Sequence, residues 1–107
     1  GPYASSKAAL LTAAHVLAAE LGPLGVRVNS VVPGRMWGPS LESALPKLAA
    51  ERGTTEAEQL AQWEAATALK RVATDEECAR VVVFLASALA AAVTGQSIDV
   101  NAGETMR

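Results

Sequence analysis

The sequence predicts an α/β protein, and within that class the second half of a wider open parallel sheet. Three observations carry this. A long helix-forming run over residues 4–21 ends in Gly22-Pro23-Leu24-Gly25 and passes straight into a Val-rich segment. A second segment with strand character spans residues 94–100. Helical patterns lie between the two, so the order is helix, strand, helices, strand. Strands joined through helices run parallel with a right-handed crossover. Two parallel strands alone make a poor sheet, because parallel sheets are wider than this and covered on both faces.

Taken in order, Leu10, Leu11, Ala14, Leu17, Ala18 and Leu21 recur at helical spacing, and almost every residue from Ala4 to Leu21 favours a helix. Gly22 and Pro23 break it. Val26-Arg27-Val28-Asn29-Ser30-Val31-Val32 is short, β-branched and closed by Pro33-Gly34, which reads as a strand. Arg35 to Pro39 reads as a loop carrying Trp37. Ser40 is the expected cap of a short helix that Pro46 bends or interrupts. Thr55-x-x-Glu58 has the form of a capping box opening a helix to about Leu69. Thr74-x-x-Glu77 opens another to about Ser87, with Ala79, Val82, Val83 and Ala86 on one face. Asp75, Glu76 and Glu77 in its first turn complement the helix dipole. Thr94 to Val100 is the second strand, with Ile98 and Val100 on one face, and Asn101-Ala102-Gly103 is a turn.

Composition narrows the function classes. The chain has 107 residues, the size of one domain at most. Half of them are hydrophobic and the net charge is −2, which excludes disorder. With 9 Lys+Arg against 11 Asp+Glu there is no basic excess to grip nucleic acid. Cys78 is the only cysteine, so no internal disulfide forms, and one Cys with one distant His is a poor zinc site. The longest apolar run, residues 81–93, falls short of the roughly 20 needed to span a bilayer, so no membrane partner is expected. A mildly acidic, Ala-rich, thiol-poor chain fits a cytoplasmic protein. It opens at Gly1-Pro2-Tyr3 without an initiator Met, as a processed product or a piece of a larger protein would.

The chemistry centres on Tyr3 and Lys7. Four residues on a helix turn about 40° past one full revolution, so both side chains share a face. A free phenol titrates near 10 and is a poor base at neutral pH. A cation about 4 Å away stabilises a phenolate by roughly 4 kcal/mol at an effective dielectric of 20, enough to bring a phenol toward neutrality. The same spacing also describes an ordinary surface pair, so the motif alone does not decide.

Its surroundings do. Tyr3-Ala4-Ser5-Ser6-Lys7-Ala8-Ala9-Leu10, then Leu17-Ala18-Ala19-Glu20-Leu21-Gly22, then Gly25-Val26-Arg27-Val28-Asn29-Ser30-Val31-Val32-Pro33-Gly34 closely resemble the short-chain dehydrogenase/reductase family. Phe84-Leu85-Ala86-Ser87, Val93-Thr94-Gly95-Gln96 and Ile98-Asp99-Val100-Asn101-Ala102-Gly103 agree, in the family's order. The resemblance implies the C-terminal part of a Rossmann-like doubly wound parallel sheet, with residues 1–107 a single partial domain. It implies hydride transfer between NAD or NADP and a small carbonyl or alcohol substrate. Tyr3 is then the catalytic acid/base, and Lys7 is its modulator and a ligand of the nicotinamide ribose. Pro33 and Gly34 form the turn that admits the nicotinamide, and the Met36 backbone meets its carboxamide. Gly38 stands where many members carry a Thr for that carboxamide, so the contact passes to Ser40 or to backbone. Asn101-Ala102-Gly103 replaces the common Asp-Gly-Gly. A homo-oligomer is the expected assembly, and no metal is implied.

The family's glycine-rich cofactor loop, catalytic Ser and ribose-selecting residue lie upstream of the Tyr and have no counterpart in this chain. The chain alone is therefore expected to be inactive, as under half of a typical member. The alternative is a non-catalytic fragment or degenerate relative that keeps only self-association. His15 reads as a surface residue and Cys78 as packing. Trp37 reads equally as substrate-pocket lining or packing, and Trp63 as lid or interface.

Overall fold

The computed structural model describes residues 1–105. They form two compact units, one of Gly1–Val32 and Val81–Ile98, the other of Pro33–Arg80 and the chain from Asp99 onward. The fold is mixed α/β with parallel strands, as the pattern of the sequence predicts.

The first unit opens with helix α1 (Pro2–Leu21), with Pro in its first turn, where its missing N–H costs nothing. A 3₁₀ turn over Gly22–Leu24 follows, and Gly25 at φ 79° closes it. The strand expected from Val26 begins only at Ser30, giving β1 (Ser30–Pro33) beside β4 (Ser97–Val100). The reason lies in two side chains that take ladder positions. Thr94 Oγ1 accepts the Val28 N–H at 3.0 Å. The Asn29 amide donates to Val93 O at 2.8 Å and accepts the Gln96 N–H at 3.0 Å. Backbone bonds from Gly95 to Val28 O and from Ser30 to Gln96 O, both 2.8 Å, then advance in the same sense along both segments, as in a parallel pair.

Ala18, Val32, Leu85 and Ala90 are the buried residues of this unit. The face of Val82 and Val83 on the helix ending at Ala86 is exposed, and Leu85 points inward instead. On α1, Leu10 and Leu17 are exposed as well. Arg27 ties the unit together. Its guanidinium donates to Leu85 O at 2.6 Å, Ser87 O at 3.2 Å and Val93 O at 3.3 Å.

The second unit contains a pair of two-residue strands, one in the stretch read as a loop and one ending at the Thr74 read as a helix cap. β2 (Met36–Trp37) and β3 (Ala73–Thr74) pair in parallel, Met36 with Ala73 and Trp37 with Thr74. Two residues are too few to show a period of two. Helix α2 (Pro39–Glu51) starts one residue before the expected cap: Gly38 is the N-cap, Pro39 the first helical residue, and Ser40 lies inside. Pro46 does not interrupt α2. Leu45 and Ala49 are buried, and α2 packs against α3 (Glu56–Ala65).

At the start of α3 the Glu58 N–H donates to Thr55 Oγ1 at 3.1 Å, and the Thr55 hydroxyl, rather than its backbone N–H, donates to Glu58 Oε1 at 3.0 Å. The helix ends at Ala65 rather than near Leu69 because its next donors are taken elsewhere. The Ala68 and Leu69 N–H groups donate to Gly103 O and Ala102 O, at 3.1 and 3.0 Å. Thr67 Oγ1 bonds Glu64 O and both backbone groups of Arg71. Helix α4 (Asp75–Ala86) begins in this unit and opens on a reciprocal box, Glu77 N–H to Thr74 Oγ1 and Thr74 N–H to Glu77 Oε1.

Ala102 sits at φ 55°, a region that costs a non-glycine residue about 1 kcal/mol. Replacing it with Gly is expected to raise stability by about 0.5 kcal/mol, the relief of strain exceeding the added chain entropy. Urea denaturation of the two chains checks this.

Candidate active site

Tyr3 and Lys7 lie in the first turns of α1, in the first unit. Tyr3 is 81% exposed. Among the described residues, neither the Tyr3 hydroxyl nor the Lys7 ammonium makes a hydrogen bond or ion pair, so both are available to an outside group. The spacing that places them on one helix face is realised, because α1 is continuous through both. His15, further along α1, is exposed and stands apart from any partner.

Pro33, Gly34, Met36 and Gly38 fall in the second unit. Pro33 and Gly34 are exposed at the end of β1, and the Gly34 N–H donates to Val100 O at 3.0 Å. Gly34 has a structural reason to be glycine. A Cβ there would come 2.6 Å from Asn101 Cβ and 3.1 Å from Glu104 Oε2. Gly38 is likewise closed in by protein, since its missing Cβ leaves room for the Asp75 carboxylate. These glycines press the turn and the start of α2 against neighbouring segments, leaving the exposed backbone of the turn as its presenting surface.

Arg35, next to the turn, ties that surface to two other segments. Its guanidinium meets Glu104 Oε1 at 3.2 Å and lies over the Trp63 ring at 4.7 Å from the centroid. Neither contact could be read from residues separated by 28 and 69 positions in sequence. Trp37 lines a cleft of about 200 Å³ with Leu60, Glu64, Arg71, Val72 and Thr74.

At the edge of that cleft Arg71 grips Glu77 with two bonds of 2.6 Å. The Arg71 bond, with the Thr74 N–H next, pulls the Glu77 carboxyl down to about 2, and the carboxylate holds the Arg71 guanidinium above its ordinary value. The folded value lies below the unfolded one, so this stabilisation is present above the ordinary carboxylate range and lost as pH falls through the folded value. The melting temperature is therefore expected to fall as pH drops from 4.5 toward about 2, and the fall should be shallower in Glu77→Gln. Comparing the two melting curves across that range checks it.

α3 carries the feature that sequence reasoning missed. Gln59 is fully buried, yet among the described residues neither Nε2 nor Oε1 has a partner, and the buried Trp63 Nε1–H has none either. An unpaired buried polar group costs about 1–3 kcal/mol. Gln in the middle of Glu-Gln-Leu-Ala-Gln-Trp reads as a solvated helix residue, and only packing reveals it as buried.

A family profile described as "Enoyl-(Acyl carrier protein) reductase" matches residues 1–105. The chain is 36% identical over 105 residues to diacetyl reductase [(S)-acetoin forming] of Staphylococcus aureus, covering 98% of this chain and 41% of the relative. It is 35% identical over 101 residues to the short-chain reductase protein NovJ of Streptomyces niveus, covering 94% of this chain and 37% of that protein. Sorbitol-6-phosphate 2-dehydrogenase SrlD from Erwinia amylovora superposes with a TM-score of 0.84 at 32% identity, over 98% of this chain and 41% of that one. L-sorbose reductase from Gluconobacter frateurii, solved with NADPH and L-sorbose, gives 0.84 at 29% identity, over 98% and 40%. The chain thus spans about two fifths of the length of these relatives.

Proposed function

The chain belongs to the short-chain dehydrogenase/reductase family, and from that premise we propose that it supplies the proton-transfer part of an NAD(P)-dependent oxidoreductase acting on a small carbonyl or alcohol. The observation that carries this is the pair on α1: a phenol and an ammonium on one helix face, with neither group bonded to a described residue.

Among the described residues Tyr3 and Lys7 have no bonding partner, and, in the other unit, the backbone at Pro33-Gly34 is exposed. NAD(P)H, when bound, supplies the hydride. Tyr3 gives its proton to the substrate oxygen in reduction and takes it back in oxidation. Lys7 would stabilise the negative charge left on the phenol oxygen and would hold the ribose hydroxyls. The Met36 backbone would meet the carboxamide, and Gly38 would offer backbone in place of a side chain. No glycine-rich run in this sequence cradles the diphosphate, so residues 1–107 alone are expected not to turn over.

The test joins this chain to the portion of diacetyl reductase that carries the glycine-rich loop. NAD(P)H oxidation with a small ketone is expected from the joined protein. Tyr3→Phe should lower it about 10²- to 10⁴-fold, the ordinary range for a general acid/base. Unchanged turnover in Tyr3→Phe would overturn the assignment, and steady turnover by the isolated chain would overturn its expected inactivity.

A second reading, self-association, rests on the exposed Leu10 and Leu17 of α1 and Val82 and Val83 of α4. A single 11.0 kDa species in sedimentation velocity would rule it out.

A further inference from the structure

The exposed turn at Pro33-Gly34 carries a pair of opposite charges that the proton-transfer chemistry leaves unused. Glu104 Oε2 stands 3.1 Å from where a Gly34 Cβ would be, so its carboxylate lies against the turn. The other carboxylate oxygen accepts from the Arg35 guanidinium at 3.2 Å. Each partner is also held by something besides the other. Glu104 closes a tight turn, its N–H donating to Asn101 O at 3.1 Å, and the Gly103 N–H before it donates to Asn101 Oδ1 at 2.9 Å. The Arg35 guanidinium is stacked over the Trp63 ring. All of these residues belong to the second unit. The two side chains are 34% and 28% exposed, and a pair this open to water contributes little to folding. What it does do is set two cancelling unit charges beside an exposed backbone turn.

We propose that Arg35 and Glu104 determine how this turn discriminates between the oxidised and the reduced nicotinamide. The ring is neutral when reduced and carries one positive charge once it has given up hydride. A carboxylate left alone at the turn favours the oxidised form, and a guanidinium left alone favours the reduced form. Paired, the two charges offset each other, so neither form of the cofactor is trapped. Asp75, whose carboxylate fills the space beside Gly38, adds a negative charge that stays constant when either member of the pair is changed. The proposal rests on reading Pro33-Gly34 as the nicotinamide turn, but it concerns binding alone and requires no turnover.

The experiment is a ¹⁵N NMR titration of the 107-residue chain with oxidised and, separately, reduced nicotinamide mononucleotide, followed at the amides of Gly34, Arg35 and Met36. The phosphate is common to both nucleotides, so the ratio of their affinities isolates the charge of the ring. Arg35→Met keeps a stem over Trp63 and removes the cation, and the ratio is expected to move about threefold toward the oxidised form, the size of effect one hydrated unit charge exerts. Glu104→Gln, in which Trp63 still holds the guanidinium, should move it about threefold the other way. Arg35→Lys and the double variant Arg35→Met with Glu104→Gln should both stay close to the parent, and added salt should shrink every shift. Melting curves of all four variants, expected near the parent's, confirm the fold. A purely structural pair would move the two single-variant ratios together or not at all. Either result, with the turn amides still responding, would overturn the proposal and leave the nicotinamide reading standing. No response of these amides to either nucleotide would overturn that reading, and the proposal with it.

Discussion

Replacing Arg27 with Met is expected to destabilise the chain by about 3 kcal/mol and to lower its melting temperature by roughly 15 °C. One guanidinium serves three carbonyls, those of Leu85, Ser87 and Val93. Two of them lie at the C-terminal end of α4, where orphan carbonyls and the helix dipole both favour a cation. Met keeps the length of the stem and withdraws every guanidinium donor from the three carbonyls, of which Val93 O keeps the Asn29 amide. Arg27→Lys should recover only part of the loss, since a single ammonium cannot reproduce the fork that spans three acceptors. Thermal melts of the three proteins, followed by far-UV circular dichroism, give the ordering. A Met variant that melts with the parent would show the three carbonyls to be hydrated without cost.

Gly103→Ala is the second large effect, again about 3 kcal/mol, now from two sources in the other unit. Gly103 has φ 81°, where a side chain is strained by about 1–2 kcal/mol. Its Cβ would also stand 2.5 Å from Ala68 Cβ and 3.3 Å from the Ala68 nitrogen. That nitrogen donates to Gly103 O, so the close approach and the hydrogen bond that ends α3 depend on each other. Relief by movement would break the bond. Gly103→Ala combined with Ala68→Gly should recover the steric part and keep the strain. The difference in denaturant midpoint between single and double variants measures the division.

The helix starts were the most legible part of this fold. Thr55 and Thr74 each meet a Glu three residues on and cap its backbone N–H, and Thr74 with Glu77 closes the full reciprocal box. Ends were harder. α3 stops at Ala65, and the Ala68 and Leu69 amide donors go to the carbonyls of residues 103 and 102, contacts 35 and 33 positions distant with no local trace. The strand expected from Val26 starts at Ser30 because Asn29 and Thr94 side chains replace backbone in the ladder. Their residue types allowed this, but the sequence alone did not show that they would face each other. For the candidate site, the shared helix face of Tyr3 and Lys7 was readable because helix spacing is a local property. The Arg35, Glu104 and Trp63 cluster and the unpaired Gln59 were not, since each is a product of tertiary packing.

The pairing of β1 with β4 has a consequence for how the chain is made. Ser30 finds its partner at Gln96, 66 residues later. During synthesis at about 5–20 residues per second, β1 waits several seconds with the edge that β4 will cover still open. Meanwhile α3 and α4, which carry their own start signals, have ample time for helix formation, a microsecond event. Nascent β1 is therefore the segment most in need of shielding while the chain is still on the ribosome, and slowing translation downstream of it lengthens that exposure.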